Sequence, residues 1–213
     1  KGAGSTLTFI KSTGTTAVTI GADAVTIDGF EINNPEGKYG IYAEDKNTIT
    51  ITNNIINDIG ESDATTSGTN WGIAIVSNAA TVDSVAIKNN EISNIIGGTF
   101  KSADGIAIGW STGSEAITKV SIENNTIHSI TSDSVNTYET GGRGAYGILI
   151  NHGTGTTGTT VSPQVKNNTI YDLSGFWSHA IGLEGDIPNA LVNGNNIYNL
   201  ASTKIPSDAV AVQ

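Results

Sequence analysis

VAIKNNEISNI, from Val85 to Ile95, holds two signals at once. Val85 and Ile87 alternate with polar residues, which marks a strand with one buried face, and the run breaks at an Asn pair before a second apolar half begins at Ile92. Five other segments follow the same template: VTIDGFEINNP from Val25, ITITNNIINDI from Ile49, VSIENNTIHSI from Val120, PQVKNNTIYDL from Pro163 and ALVNGNNIYNL from Ala190. Each is followed by a short motif of its own: GIYAE at Gly40, GIAIV at Gly72, GIAIG at Gly105, GILIN at Gly147, AIGLE at Ala180 and AVAVQ at Ala209.

Superposing the repeats separates the residues by role. Ile27, Ile51, Ile87, Ile122, Val165 and Val192 form one inward column, and Ile41, Ile73, Ile106, Ile148, Ile181 and Val210 form another. Gly29, Asn53, Asn89, Asn124, Asn167 and Gly194 occupy the bend, where Gly and Asn are the residues that accept a left-handed backbone most cheaply. The next column holds Asn54, Asn90, Asn125, Asn168 and Asn195, with Phe30 at its N-terminal end. Stacked at about 4.8 Å, these amides can bond to one another up and down an interior ladder. From bend to bend the coils take 24, 36, 35, 43 and 27 residues, and the variation falls in loops before and after the second motif. The expectation is an all-β, right-handed parallel β-helix of six to seven coils, with three strands per coil and one domain over 1–213.

Composition excludes several functions. Ten Lys and Arg against twenty Asp and Glu give a net charge of -10, which repels a nucleic-acid backbone. There is no run of eighteen apolar residues to insert in a membrane. The chain has no Cys and no Met, position 1 included, which fits a processed piece of a secreted or surface protein of a bacterium or archaeon. Neither Lys1–Gly4 nor Ala209–Gln213 reads as a polar cap, so the expectation is an internal part of a longer solenoid whose open ends would associate end to end.

These columns resemble the pectate-lyase-like family of right-handed β-helices, from Leu7 to the C-terminus. The resemblance implies three strands per coil, an Asn ladder at a two-residue bend, and a working surface on one sheet and its flanking loops. It does not imply one activity, since lyases, hydrolases, tailspikes, adhesins and surface-layer repeats share the fold. By that analogy the working sheet is the one carrying the second motif. Its outward residues, Tyr42, Ala74, Ala107, Leu149, Gly182 and Ala211, are mostly small. Glu44 and Glu184 share a column four coils apart, roughly 19 Å, too far for a glycosidase pair. Neither the paired Asp with a downstream Arg-Ile-Lys of the hydrolases nor an Arg-rich lyase signature is present.

The column before that strand is richer: Tyr39, Trp71, Asp104, Tyr146, His179 and Asp208. Were the protein an enzyme, Arg143, His179, Glu184 and Asp208 would be its catalytic candidates, near Tyr146, Asn151, His152 and Asp186, with His179 and Asp208 one coil apart. As a binding module it would offer Tyr42, Trp71, Trp110, Tyr146, His152 and Trp177, which fall in or beside the loops and outside the core template. No cofactor is required, and calcium is the ion that Asp104, Glu184, Asp186 or Asp45 would suit. The sequons at Asn124 and Asn167 lie in the bend, where a structural role is expected. The leading expectation is a non-catalytic surface module that binds a polysaccharide or another cell-envelope component. A lyase or hydrolase and a structural surface-layer repeat are the alternatives.

Overall fold

The computed structural model describes residues 8–60, 69–98, 101–109, 116–132, 144–151, 160–203 and 207–212. Within them the chain is a parallel β-helix of about seven coils, with no helix. The first sheet stacks Thr8–Lys11, Phe30–Asn34, Ile55–Ile59, Glu91–Ile96, Thr126–Thr131, Thr169–Gly175 and Asn196–Ser202. Thr16–Ile20, Tyr39–Glu44, Asn70–Val76, Ala103–Ile108, Gly144–Asn151, Trp177–Glu184 and Asp208–Val212 form the second. The third runs through Thr26–Asp28, Ile49–Thr52, Val82–Lys88, Ile117–Glu123, Gln164–Lys166 and Leu191–Asn193, with the short Thr160–Val161 beside Ile117–Glu123.

Both inward columns read from sequence are in register. Ile27, Ile51, Ile87, Ile122, Val165 and Val192 pair coil to coil, as do Ile41, Ile73, Ile106, Ile148, Ile181 and Val210. Ile51, Ile87, Ile122, Ile73, Ile106 and Ile148 are wholly buried, whereas Val210, on the last described coil, is 42% exposed. Because each coil packs only on its neighbours, a residue with one neighbour keeps one open side.

The Asn ladder closes every buried bond at this corner. Asn125 Oδ1 accepts both the backbone N–H and the side-chain N–H of Asn90, at 2.9 and 3.0 Å. Asn125 Nδ2 in turn donates to Asn168 Oδ1 at 3.0 Å and to the carbonyl of Ile87 at 2.9 Å. The pattern repeats from Asn54 to Asn195, and at the N-terminal end the Phe30 N–H donates to Asn54 Oδ1 at 3.0 Å. The bend column beside it is left-handed throughout, from Gly29 at φ 76° through Asn124 at φ 57° to Gly194 at φ 68°.

Two more left-handed columns recur along the stack. One is Ala24, Thr48, Ser84, Lys119, Ser162 and Asn189, three residues before the inward residue of the third sheet; the other is Asp58, Asn94, Ser129, Asp172 and Asn199, within the first-sheet strands. In the second of these, Asn94 donates to Asp58 and Asn199 to Asp172, each at 3.1 Å.

Replacing Asn125 by Ala would strand the backbone N–H and one side-chain N–H of Asn90 in the core, remove the bond to the Ile87 carbonyl, and leave Asn168 Oδ1 with only the backbone N–H of residue 125. The expected loss in urea denaturation is about 3 kcal/mol, against under about 1 kcal/mol for Asn124→Gly in the exposed bend. Equal losses for the two variants would contradict the ladder's role.

Candidate functional site

The column read before the second motif is a continuous outward row on the second sheet. Tyr39 pairs with Trp71, Trp71 with Asp104, Asp104 with Tyr146, Tyr146 with His179 and His179 with Asp208. Its N-terminal half is a packed aromatic block. The Tyr39 and Trp71 rings stack at 4.8 Å and 7°, and Trp71, Ala74 and Ala107 form an apolar cluster, with Tyr39 and Tyr42 against it, separate from the interior core. Small outward residues such as Ala74 and Ala107 are therefore a floor for these rings and are themselves buried.

Toward the C-terminal coils the row becomes polar. The Trp177 indole donates to the Tyr146 hydroxyl at 3.1 Å, and that hydroxyl donates to Glu184 Oε1 at 3.2 Å. Glycine makes room for this: a Cβ on Gly144 would stand 2.0 Å from Trp177 Nε1, and one on Gly182 would stand 3.0 Å from the Tyr146 ring. Burial, and then the charge of Glu184, pushes the Tyr146 phenol well above its ordinary value, so it serves as a neutral link that accepts from one partner and donates to the other. Trp177 and Glu184 are half-buried at the rim.

His179 Nδ1 lies 3.3 Å from Asp208 Oδ2 without hydrogen-bond geometry, so the pair anticipated from sequence is adjacent but weakly joined. Burial lowers the imidazole pKa, against the opposing pull of Asp208 and Glu184. The ring is therefore neutral at neutral pH and makes no charged bridge there.

Asp104 is the most unusual group in the row. It is 1% exposed, between Trp71 and Tyr146, and neither oxygen has a partner of ordinary hydrogen-bond geometry. Burial raises its carboxyl well above the usual carboxylate range; the Trp71 indole pulls it back down and the nearby charge of Glu184 pushes it further up. A buried carboxyl whose pKa is pushed up, with a second carboxylate nearby, is an arrangement that functional sites use.

The other candidates are spread out. Tyr42 is half-buried, with its hydroxyl on Glu44 Oε2 at 2.6 Å; Trp71 and Tyr146 are buried at 8% and 7% exposure, and Asp186 is exposed beyond the strand. Asp45 is already engaged, accepting the backbone N–H groups of Asn78 and Ala79 at 2.7 and 3.1 Å. Trp110, Arg143 and His152 lie outside the described residues. Among the described residues, no three His, Asp or Glu side chains converge on a point that could hold a metal ion. One feature had no counterpart in the sequence reading: a run of three rings, His128, Tyr171 and Tyr198, on the outer face of the first sheet. Its signal was available in the template, one residue after Ile127, Ile170 and Ile197.

The chain matches no family model, no curated protein and no solved structure.

Asp104 also sets a pH dependence. Its folded pKa lies above its unfolded value, so its contribution is fully present below the ordinary aspartate value of 3.8 and is lost as pH rises through the folded pKa. His179 acts oppositely: its folded pKa is lowered, and its contribution is lost as pH falls below 6.5. Asp104→Asn should therefore raise the melting temperature, by more at about pH 7 than at about pH 4. A gain independent of pH would mean that the carboxyl is ionised in the folded protein.

Proposed function

We propose that this chain is a non-catalytic extracellular surface module of a bacterial or archaeal envelope, which binds a polysaccharide through the outer face of the second sheet. The observation that carries the reading is the chain of bonds from Trp177 through Tyr146 to Glu184. A half-buried indole pinned at its nitrogen loses little freedom on binding, and the carboxylate at the end of the chain can accept sugar hydroxyls. The net charge of -10 favours a neutral glycan over an acidic one.

A second reading, a polysaccharide hydrolase or lyase, is favoured by one observation, the buried carboxyl of Asp104, its pKa raised by burial and by the charge of Glu184. Against it stands the enclosure of Asp104, which is 1% exposed and offers no path for a substrate oxygen to reach its proton.

The two readings separate in one experiment. Trp177→Ala should weaken retention on the cognate polysaccharide about tenfold, the loss of roughly one aromatic contact, with no reducing ends released by wild type. Release of reducing ends or unsaturated products, abolished in Asp104→Asn while the variant melts higher, would establish the enzyme instead. Unchanged retention in Trp177→Ala would remove the second-sheet face from binding.

A further inference from the structure

On the outer face of the first sheet, register brings Asn57, Ser93, His128, Tyr171 and Tyr198 into one row. His128 and Tyr171 stack at 4.8 Å and 9°, and Tyr171 and Tyr198 at 4.9 Å and 7°. Rings in contact face to face lie about 3.5 Å apart, so parallel rings at the coil spacing must slide past one another by roughly 3.3 Å. They are shingled, and each leaves part of a face to solvent. Tyr198 is 43% exposed, and Tyr171, between the other two rings, is half-buried.

Nothing in the fold calls for these rings. The row faces away from the core, and in the two coils before His128 the same position is filled in register by Asn57 and Ser93. Polar groups flank it at the same repeat: Glu91, Thr126, Thr169 and Asn196 in register on one side, and Asp172 bonded to Asn199 on the other. The one ring that can become cationic, His128, has its Nε2 3.6 Å from Glu91 Oε1.

We propose that this ridge is a second binding surface, separate from the second-sheet face, and that it takes an uncharged polysaccharide laid along the solenoid axis. A flat array that repeats in one direction suits a polymer of rings better than a small molecule, which needs a concave pocket. Partly open ring faces receive the apolar faces of successive sugars, and the flanking Thr, Asn and carboxylate groups take their hydroxyls. Charge selects the class: Glu91 and Asp172 beside the rings, on a chain of net charge -10, repel an acidic glycan.

The test is retention on cellulose, chitin and polygalacturonate of wild type, Tyr171→Thr/Tyr198→Thr, Tyr171→Phe/Tyr198→Phe and Trp177→Ala, with light scattering alongside. Retention by a neutral polymer should fall about tenfold in the Thr pair, two ring contacts being lost, and persist in the Phe pair, which keeps the rings and remains informative should the Thr pair fold poorly. Loss of retention in the Phe pair as well, unchanged retention in a folded Thr pair, or no neutral polymer holding wild type would overturn the proposal. So would self-association of wild type that the Thr pair abolishes without any glycan retention, which would assign the ridge to a second copy of the chain. Trp177→Ala reports on the second-sheet face alone, so either surface can fail without the other.

Discussion

Each coil has to turn a corner with polar backbone facing an interior packed with aliphatic side chains, and the side-chain amide of one asparagine per coil supplies the missing partners. Asn90, Asn125 and Asn168 are at most 2% exposed, a position where an unpaired amide would be prohibitive. Each oxygen accepts two N–H groups from the preceding coil, and each nitrogen donates both to the next coil and to a strand carbonyl one coil back. An Asn amide accepts two bonds on its oxygen and donates two from its nitrogen, which a hydroxyl with a single hydrogen cannot do, and hydrogen bonds arranged in such a chain polarise one another. The ladder fixes the coil spacing, and the stacked isoleucines then fall into register above one another. Coils of 24 to 43 residues coexist in one stack because the extra residues leave this corner untouched.

Part of this was legible in the sequence for a physical reason. A column of Gly and Asn is chemically uniform because few residues accept a left-handed backbone without strain, and the inward columns are uniform because only aliphatic side chains fill them. The two other left-handed columns could not be read in the same way. Ala24, Thr48, Ser84, Lys119, Ser162 and Asn189 share a backbone conformation but no side-chain chemistry, so the parallel hydrogen bonds on either side, and not local preference, hold them there. Asp58, Asn94, Ser129, Asp172 and Asn199 are more alike, but they sit in the middle of what reads as an ordinary strand.

The site was legible to a different depth. Register followed directly from the template, so the adjacency of His179 and Asp208, and of Asp104 and Tyr146, could be anticipated. Depth could not. Outward residues on a solenoid are expected to be wet, yet Trp71 and Tyr146 lie flat enough to bury themselves and to enclose Asp104 between them. That enclosure depends on the absence of side chains at Gly144 and Gly182 and on the small floor of Ala74 and Ala107, contributions made by residues that carry no chemistry of their own.

The two outer faces therefore differ in what a large side chain on them means. On the second sheet, aromatic and acidic residues satisfy one another, from the stacked Tyr39 and Trp71 to the bonds joining Trp177, Tyr146 and Glu184, so packing already accounts for much of their presence. On the first sheet, Tyr171 is half-buried and Tyr198 is 43% exposed, their contacts along the row are to one another and to His128, and they stand where the earlier coils use polar residues. In a compact domain an exposed tyrosine is unremarkable, because many surface positions are loosely constrained. Here the repeat supplies its own control: the same backbone position, in the same sheet, is filled by Asn57 and Ser93 without loss of register. Rings that the fold does not need, aligned over consecutive coils, are better explained by something they touch outside the chain than by the stack that carries them.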